Sequence, residues 1–92
     1  MSTEHVPGKK NGDIMLYALS TCEWCRKTRE LLTELGIDYS YVYVDLLSGE
    51  EFSQVLAEMG KWNKSKSFPT TVINNSKVIV GFREDELREV LA

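Results

Sequence analysis

Apolar and polar positions along the chain follow two different periods in turn. After a polar opening, Ile14-Met15-Leu16-Tyr17-Ala18-Leu19 forms a short continuous apolar run closed by Ser20-Thr21, the pattern of a strand covered on both faces. Trp24, Thr28, Leu31, Leu32 and Leu35 then recur at helical spacing while Arg26, Lys27, Arg29, Glu30 and Glu34 take the other side, and Gly36 ends the run as a C-cap. This predicts a helix from about Glu23 to Leu35. Its start carries two cap candidates, Ser20 with Glu23 as a capping box or Thr21 as a single cap, and the pattern does not choose between them. Tyr39-Ser40-Tyr41-Val42-Tyr43-Val44 is aromatic and β-branched and is ended by Asp45, so it predicts a second strand. Ser48 with Glu51 marks the start of a second helix, whose apolar face is Phe52, Val55, Leu56 and Met59 and which runs to Gly60. A polar connector from Lys61 to Ser67 leads to Pro69-Thr70-Thr71-Val72-Ile73 and Lys77-Val78-Ile79-Val80, the arms of a hairpin around Asn74-Asn75-Ser76. Leu87, Val90 and Leu91 form the apolar side of a last helix within Arg83 to Leu91.

The predicted order is β-α-β-α-β-β-α, an α/β fold. A strand-helix-strand crossover makes the first two strands parallel, whereas the short Asn-rich turn makes the last two antiparallel. The expectation is a four-stranded mixed sheet flanked by helices. Met1 to Gly12 lacks any period and concentrates Pro7, Gly8, Lys9 and Lys10, so residues 1–12 read as a flexible leader that can be trimmed and residues 13–92 as the single domain. His5, the one histidine, reads as a solvent-exposed residue of that leader.

At 92 residues with 42% hydrophobic content, the chain can bury a core without a disulfide lattice or a structural metal. Eleven Lys and Arg against fourteen Asp and Glu give a formal charge of -3, which speaks against nucleic acid as a partner. No apolar run approaches the roughly 20 residues that span a bilayer, and the first dozen residues lack the apolar stretch of a secretory signal. The expected location is the cytoplasm, away from membranes.

In that setting the pair Cys22-Glu23-Trp24-Cys25 points to catalysis or metal binding and away from a structural staple. The pair opens a predicted helix directly after a strand. Unpaired N–H groups and the positive end of the helix dipole favour a thiolate there, which makes Cys22 the expected nucleophile. Cys25, one helical turn on, can attack a mixed disulfide on Cys22 and is the expected resolving thiol. A closed zinc site needs four ligands, and beyond the cysteines there are only a leader histidine and carboxylates, so no metal site is expected within one chain.

These residues, with Tyr17-Ala18-Leu19-Ser20-Thr21 ahead of the cysteines, Phe68-Pro69-Thr70 before the hairpin, and Val80-Gly81-Phe82 with Asp85 before the last helix, make residues 13 to 92 resemble the glutaredoxins. The resemblance implies a thioredoxin-like fold and a thiol-disulfide oxidoreductase working through both cysteines. It also implies a cis peptide bond before Pro69, and a substrate groove made by Thr21, Trp24, Phe68, Pro69, Thr70, Gly81, Phe82 and Asp85. No cofactor is expected to be tightly bound. Glutathione or another low-molecular-weight thiol is a candidate co-substrate, disulfide-containing proteins are the expected substrates, a flavoprotein or other disulfide reductase is the expected electron donor, and the chain is expected to be a monomer.

Three positions depart from the family pattern. Leu19 stands where a lysine commonly binds the glutathione carboxylate. Glu23 replaces a proline beside the nucleophile and opposes a thiolate by like charge, with Arg26 and Lys27 to offset it. Gly81-Phe82 replaces a glycine pair, as in the small redoxins that serve ribonucleotide reductase and are recharged by a flavoprotein reductase. A rival reading is an iron-sulfur carrier dimer in which Cys22 and glutathione thiols hold the cluster. A metallochaperone fits less well, because its usual β-α-β-β-α-β order differs from the one predicted.

Other residues keep two readings. Trp24 either packs under the first helix or offers an exposed aromatic surface to a protein disulfide. Lys61, Lys64 and Lys66 form a solvated loop or receive a carboxylate, and Trp62 anchors a partner or plugs the loop from below.

Overall fold

The computed structural model describes residues 3–10 and 12–91. Its elements, in chain order, are β1 (Glu4–Val6), β2 (Ile14–Ala18), α1 (Glu23–Glu34), β3 (Tyr39–Tyr43), a 3-10 turn (Val44–Leu46), α2 (Gly49–Trp62), β4 (Thr70–Ile73), β5 (Lys77–Val80) and α3 (Glu84–Leu91). One mixed sheet runs in the order β1-β3-β2-β4-β5. β2 and β3 are parallel and joined through α1, with Ala18 opposite Tyr43 at the end of the ladder. β4 pairs antiparallel with both β2 and β5. The fold is thioredoxin-like, with helices on both sides of the sheet.

Alternation along the strands divides the core in two. Ile14, Leu16, Ala18, Tyr39, Ile73 and Ile79 face α1 and α3, which contribute Cys25, Leu31, Leu32, Leu87 and Leu91. On the opposite face Tyr17, Val42, Val44 and Val72 meet Met59 of α2, with Val55, Leu56 and Trp62 packed alongside. Trp62 is therefore a hydrophobic plug under its loop. No helix among the described residues is long and apolar enough to cross a membrane.

The sheet has five strands where four were expected. Residues 4–6, expected within the leader, form β1 and pair antiparallel with β3, Glu4 opposite Tyr41 and Val6 opposite Tyr39. Lys9 continues the association by bridging Ile37, where the backbone comes so close that a Cβ on Gly8 would lie 2.7 Å from the Gly36 carbonyl oxygen. His5 is exposed, as expected, yet its Nε2 stands 2.8 Å from Asp38 Oδ1. A three-residue polar edge strand is too short to display a period, so only pairing reveals it. Met1, Ser2 and Asn11 of the expected leader, and Ala92 at the end of the expected domain, lie outside the described residues.

One helix boundary also moves. α2 continues through Gly60 to Trp62 because Met59 and Trp62 bury against the core, so Lys61 belongs to the helix and pairs with Glu58 at 3.3 Å. Ser48 is the N-cap of α2, but its side chain makes no capping hydrogen bond. The predicted hairpin turn is present, with Asn74 and Asn75 at φ 54° and 52°, a left-handed conformation that asparagine tolerates better than most residues.

Candidate functional site

The parallel strands β2 and β3 end side by side, and the chain leaves β2 through Leu19-Ser20-Thr21 to enter α1 at Cys22. Neither expected cap is used. Cys22 is itself the N-cap, with extended backbone (φ -89°, ψ 120°) and its Sγ accepting the Cys25 backbone N–H at 3.2 Å. Ser20 is drawn elsewhere: its N–H and hydroxyl both donate to Asp45, at 2.8 and 2.5 Å. The nucleophile candidate thus occupies the place of the first unsatisfied N–H groups of a helix, where partial positive charge collects.

The two thiols differ sharply in surroundings. Cys22 is partly exposed and Cys25 is buried at 1% exposure. Burial, followed by the hydrogen bond with Cys22, pushes the Cys25 thiol up to about 12. Glu23, the carboxylate beside Cys22, pairs with Arg26, which also pairs with Glu30. The Arg26 hydrogen bond holds the Glu23 carboxyl below its ordinary range. Lys27 instead sits over the Trp24 ring, 5.0 Å from its centroid.

Two hollows flank this point. A polar one of about 270 Å³ is lined by Leu19, Ser20, Thr21, Cys22, Glu23, Arg26 and Tyr43. An apolar one of about 190 Å³ is lined by Trp24, Phe68, Pro69, Gly81 and Phe82. Trp24 is 55% exposed and stacks on Phe82 with centroids 5.8 Å apart and 23° between planes, so of its two readings the surface aromatic is the one observed. The Phe68–Pro69 bond is cis, as expected. Tyr17 opposite Thr70 sets the β2–β4 register, which carries Phe68-Pro69 to the end of β2 where the cysteine turn begins. The Pro69 carbonyl accepts the Gly81 N–H at 2.8 Å and so ties the Phe68-Pro69 segment to the Gly81-Phe82 segment.

Five of the eight expected groove residues, Trp24, Phe68, Pro69, Gly81 and Phe82, come together in the apolar hollow, and Thr21 lines the polar one. Two do not join them. Thr70 is fully buried on the α2 side, its hydroxyl donating to the Ser67 carbonyl at 2.8 Å and accepting from Asn63 Nδ2 at 3.0 Å. Asp85 lines neither hollow and is exposed in the first turn of α3 between Glu84 and Glu86. No cluster of three or more potential metal ligands occurs among the described residues.

The structure adds residues that the sequence pattern passed over. Asn63, in the stretch read as a polar connector, is 7% exposed and holds the loop to β4: its Nδ2 donates to Ser67 O, Ser67 Oγ and Thr70 Oγ1, and its Oδ1 accepts from Ser65. Arg29 lies 3.8 Å from the Tyr41 ring centroid and donates to the Tyr43 and Tyr39 hydroxyls, at 2.8 and 3.2 Å, fixing α1 to β3. Asp45, which the sequence pattern marks only as the end of a strand, accepts both donors of Ser20.

A strand, a tight turn carrying Cys-x-x-Cys into a helix, and a cis-proline segment beside it define a redoxin of the thioredoxin fold. Comparison with known proteins narrows the class. The glutaredoxin family model matches residues 14–78. A glutaredoxin-like 8.6 kDa protein from the rubredoxin operon of Clostridium pasteurianum, itself uncharacterized, is 31% identical over 78 residues, 85% of this chain and 96% of that one. The crystal structure of Methanosarcina acetivorans methanoredoxin is 52% identical with a TM-score of 0.89, covering 92% of this chain and 90% of that one. A glutaredoxin structure from Methanosarcina mazei Go1 is 51% identical with a TM-score of 0.90, covering 100% and 89%. The chain belongs to the glutaredoxin family.

Proposed function

We propose that this chain reduces disulfides by a dithiol mechanism, with Cys22 as nucleophile and Cys25 as resolving thiol. The observation that carries this reading is the asymmetry of the pair: a partly exposed thiol at the N-cap of α1 and a buried one a single turn on, its N–H held to the first sulfur. Cys22, as thiolate, attacks one sulfur of the substrate disulfide, forming a mixed disulfide and expelling the other sulfur as a thiolate that takes up a proton. Cys25 then gives up its proton and attacks Cys22 Sγ, which expels the second substrate thiol. The substrate gains two electrons and two protons, and the protein is left with a Cys22–Cys25 disulfide that an external thiol or dithiol must reduce.

The substrates are disulfide-containing proteins and small disulfides, and the Trp24, Phe68, Pro69 and Phe82 hollow supports docking of their apolar flanks. The electron donor is a flavoprotein or other disulfide reductase, with glutathione a secondary donor. What supports this order is the hollow beside Cys22, where Leu19 offers no charge and Arg26 is already shared by Glu23 and Glu30. The protein acts as a cytoplasmic monomer with no tightly bound cofactor.

The test offers the oxidised protein glutathione with glutathione reductase and, separately, a thioredoxin-reductase-type flavoprotein, and follows NADPH consumption. Cys22→Ser should abolish disulfide reduction, whereas Cys25→Ser should trap partners as mixed disulfides. Retention of activity in Cys22→Ser would refute the mechanism.

A further inference from the structure

We propose that Asp45 is a positioning residue for the cysteine pair, its carboxylate reaching from the end of β3 to hold the turn that delivers Cys22. This rests on the dithiol reading above and adds to it a residue outside the cysteine motif.

The ladder between β2 and β3 ends at Ala18 opposite Tyr43, and continuing that register by two residues brings Ser20 opposite Asp45. Backbone pairing has stopped there, because the chain after Ser20 must turn away into α1. The carboxylate takes over. Oδ1 accepts the Ser20 N–H at 2.8 Å and Oδ2 accepts the Ser20 hydroxyl at 2.5 Å, so both oxygens are spent on one residue two positions before the nucleophile. Between them the chain closes tightly, with the Cys22 N–H donating to the Leu19 carbonyl at 3.3 Å. Fixing Ser20 therefore fixes the angle at which Cys22 enters the helix and, with it, the placement of Sγ in the polar hollow that Cys22 lines.

The arrangement is strong for an exposed contact because it is charge-assisted and two-pronged. The Ser20 hydroxyl holds the Asp45 carboxyl below its ordinary range, so the group is ionised near neutral pH. No Lys, Arg or His among the described residues forms an ion pair with it. Its charge is felt instead at Cys25, whose thiol it helps to push up. Substitutions can separate the geometric tie from the charge. In Asp45→Asn the amide oxygen still accepts the Ser20 N–H and the amide NH2 still donates to the Ser20 oxygen, so the tie persists without the charge. Asp45→Ala removes both, and Ser20→Ala removes one prong while keeping the charge.

The experiment measures, for the full chain and each variant, kcat/KM with a small symmetrical disulfide, the alkylation rate of Cys22 by iodoacetamide, and the melting temperature. Asp45→Ala should lower kcat/KM and the Cys22 alkylation rate about tenfold, well within the roughly hundredfold that a misplacement of about 1 Å can cost. Asp45→Asn should recover both to within about twofold of the parent, and Ser20→Ala should fall about threefold. Parent-like rates in Asp45→Ala would overturn the proposal, as would Asp45→Asn behaving like Asp45→Ala, which would make the charge and not the tie the active element. If Asp45→Ala does not fold, Ser20→Ala decides, and parent-like rates there overturn the proposal. If the parent protein reduces no disulfide, the dithiol reading fails on its own, while Cys22 alkylation, which needs no substrate, still reports whether Asp45 sets the thiol's position.

Discussion

Burial of Cys25 predicts a large difference in chemical reactivity between two cysteines only three positions apart. Consider the reduced protein exposed to limiting iodoacetamide at pH 8, with the two labelled peptides quantified by mass spectrometry over time. An ordinary cysteine, with a pKa of about 8.5, is about one quarter thiolate at that pH. With its thiol pushed up to about 12, Cys25 is thiolate in about one molecule in ten thousand. The more basic thiolate is the better nucleophile, and a Brønsted slope of about 0.45 over that interval returns roughly a factor of forty. The net result is alkylation of Cys25 about sixtyfold slower than an ordinary cysteine. Steric closure adds to this, since the residue is only 1% exposed. Cys22 should therefore be labelled essentially to completion before Cys25 reacts. Labelling of Cys25 at a rate equal to or above that of Cys22 would refute both the burial argument and the division of roles between the thiols.

The same thiol makes stability depend on redox state at high pH. A group whose pKa is raised by folding contributes stability that is present below its unfolded value, about 8.5, and is lost as pH rises toward the folded value of about 12, so the reduced protein should lose stability over that window faster than the oxidised protein in parallel urea melts. Asn63→Ala strips the loop of its buried amide and leaves the Thr70 hydroxyl with one partner fewer, which should cost about 1–3 kcal/mol by urea denaturation; an unchanged midpoint would refute the bracing role. Leu19→Lys supplies a free cation beside Cys22 and should raise glutathione-dependent turnover by about tenfold to a hundredfold, the equivalent of about 1.5–3 kcal/mol for a charge-assisted hydrogen bond; turnover unchanged by the lysine would remove the argument for a secondary role of glutathione.

Where a feature was local and repeated, the sequence displayed it. The five-residue apolar run of β2, the helical stripe of α1 and the two arms around Asn74-Asn75 each carry their own period, and each appears close to its expected bounds. β1 carries none, because three residues cannot establish alternation and its evidence is entirely in its partner, β3. The end of α2 was missed for a related reason: Gly60 reads as a stop, but the burial of Met59 and Trp62 on the next turn outweighs the roughly 1 kcal/mol that glycine costs inside a helix. The burial of Asn63 was passed over because composition alone describes the stretch from 61 to 67 as polar, and Thr70, correctly read as a strand residue, was given a groove role only by the family resemblance; a polar residue becomes buried only when a specific set of partners closes around it.

The start of α1 shows most clearly how local reading and tertiary structure part company. Ser20 and Thr21 are both good cap residues by type, and a helix beginning at Glu23 needs a cap, so a sequence argument assigns the role to one of them. The protein gives it to Cys22, a sulfur acceptor that is a weaker hydrogen-bond partner than a hydroxyl. The substitution is intelligible once Asp45 is in view. With both donors of Ser20 committed to the carboxylate across the sheet, the serine is held at the ladder's end, and the side chain that meets the Cys25 N–H is that of Cys22. A stabilising hydroxyl cap is thereby exchanged for a weaker one that places a sulfur against the helix's unsatisfied N–H groups. The residue that holds Ser20 lies 25 positions beyond it in the chain, where no inspection of the Cys-x-x-Cys motif would find it.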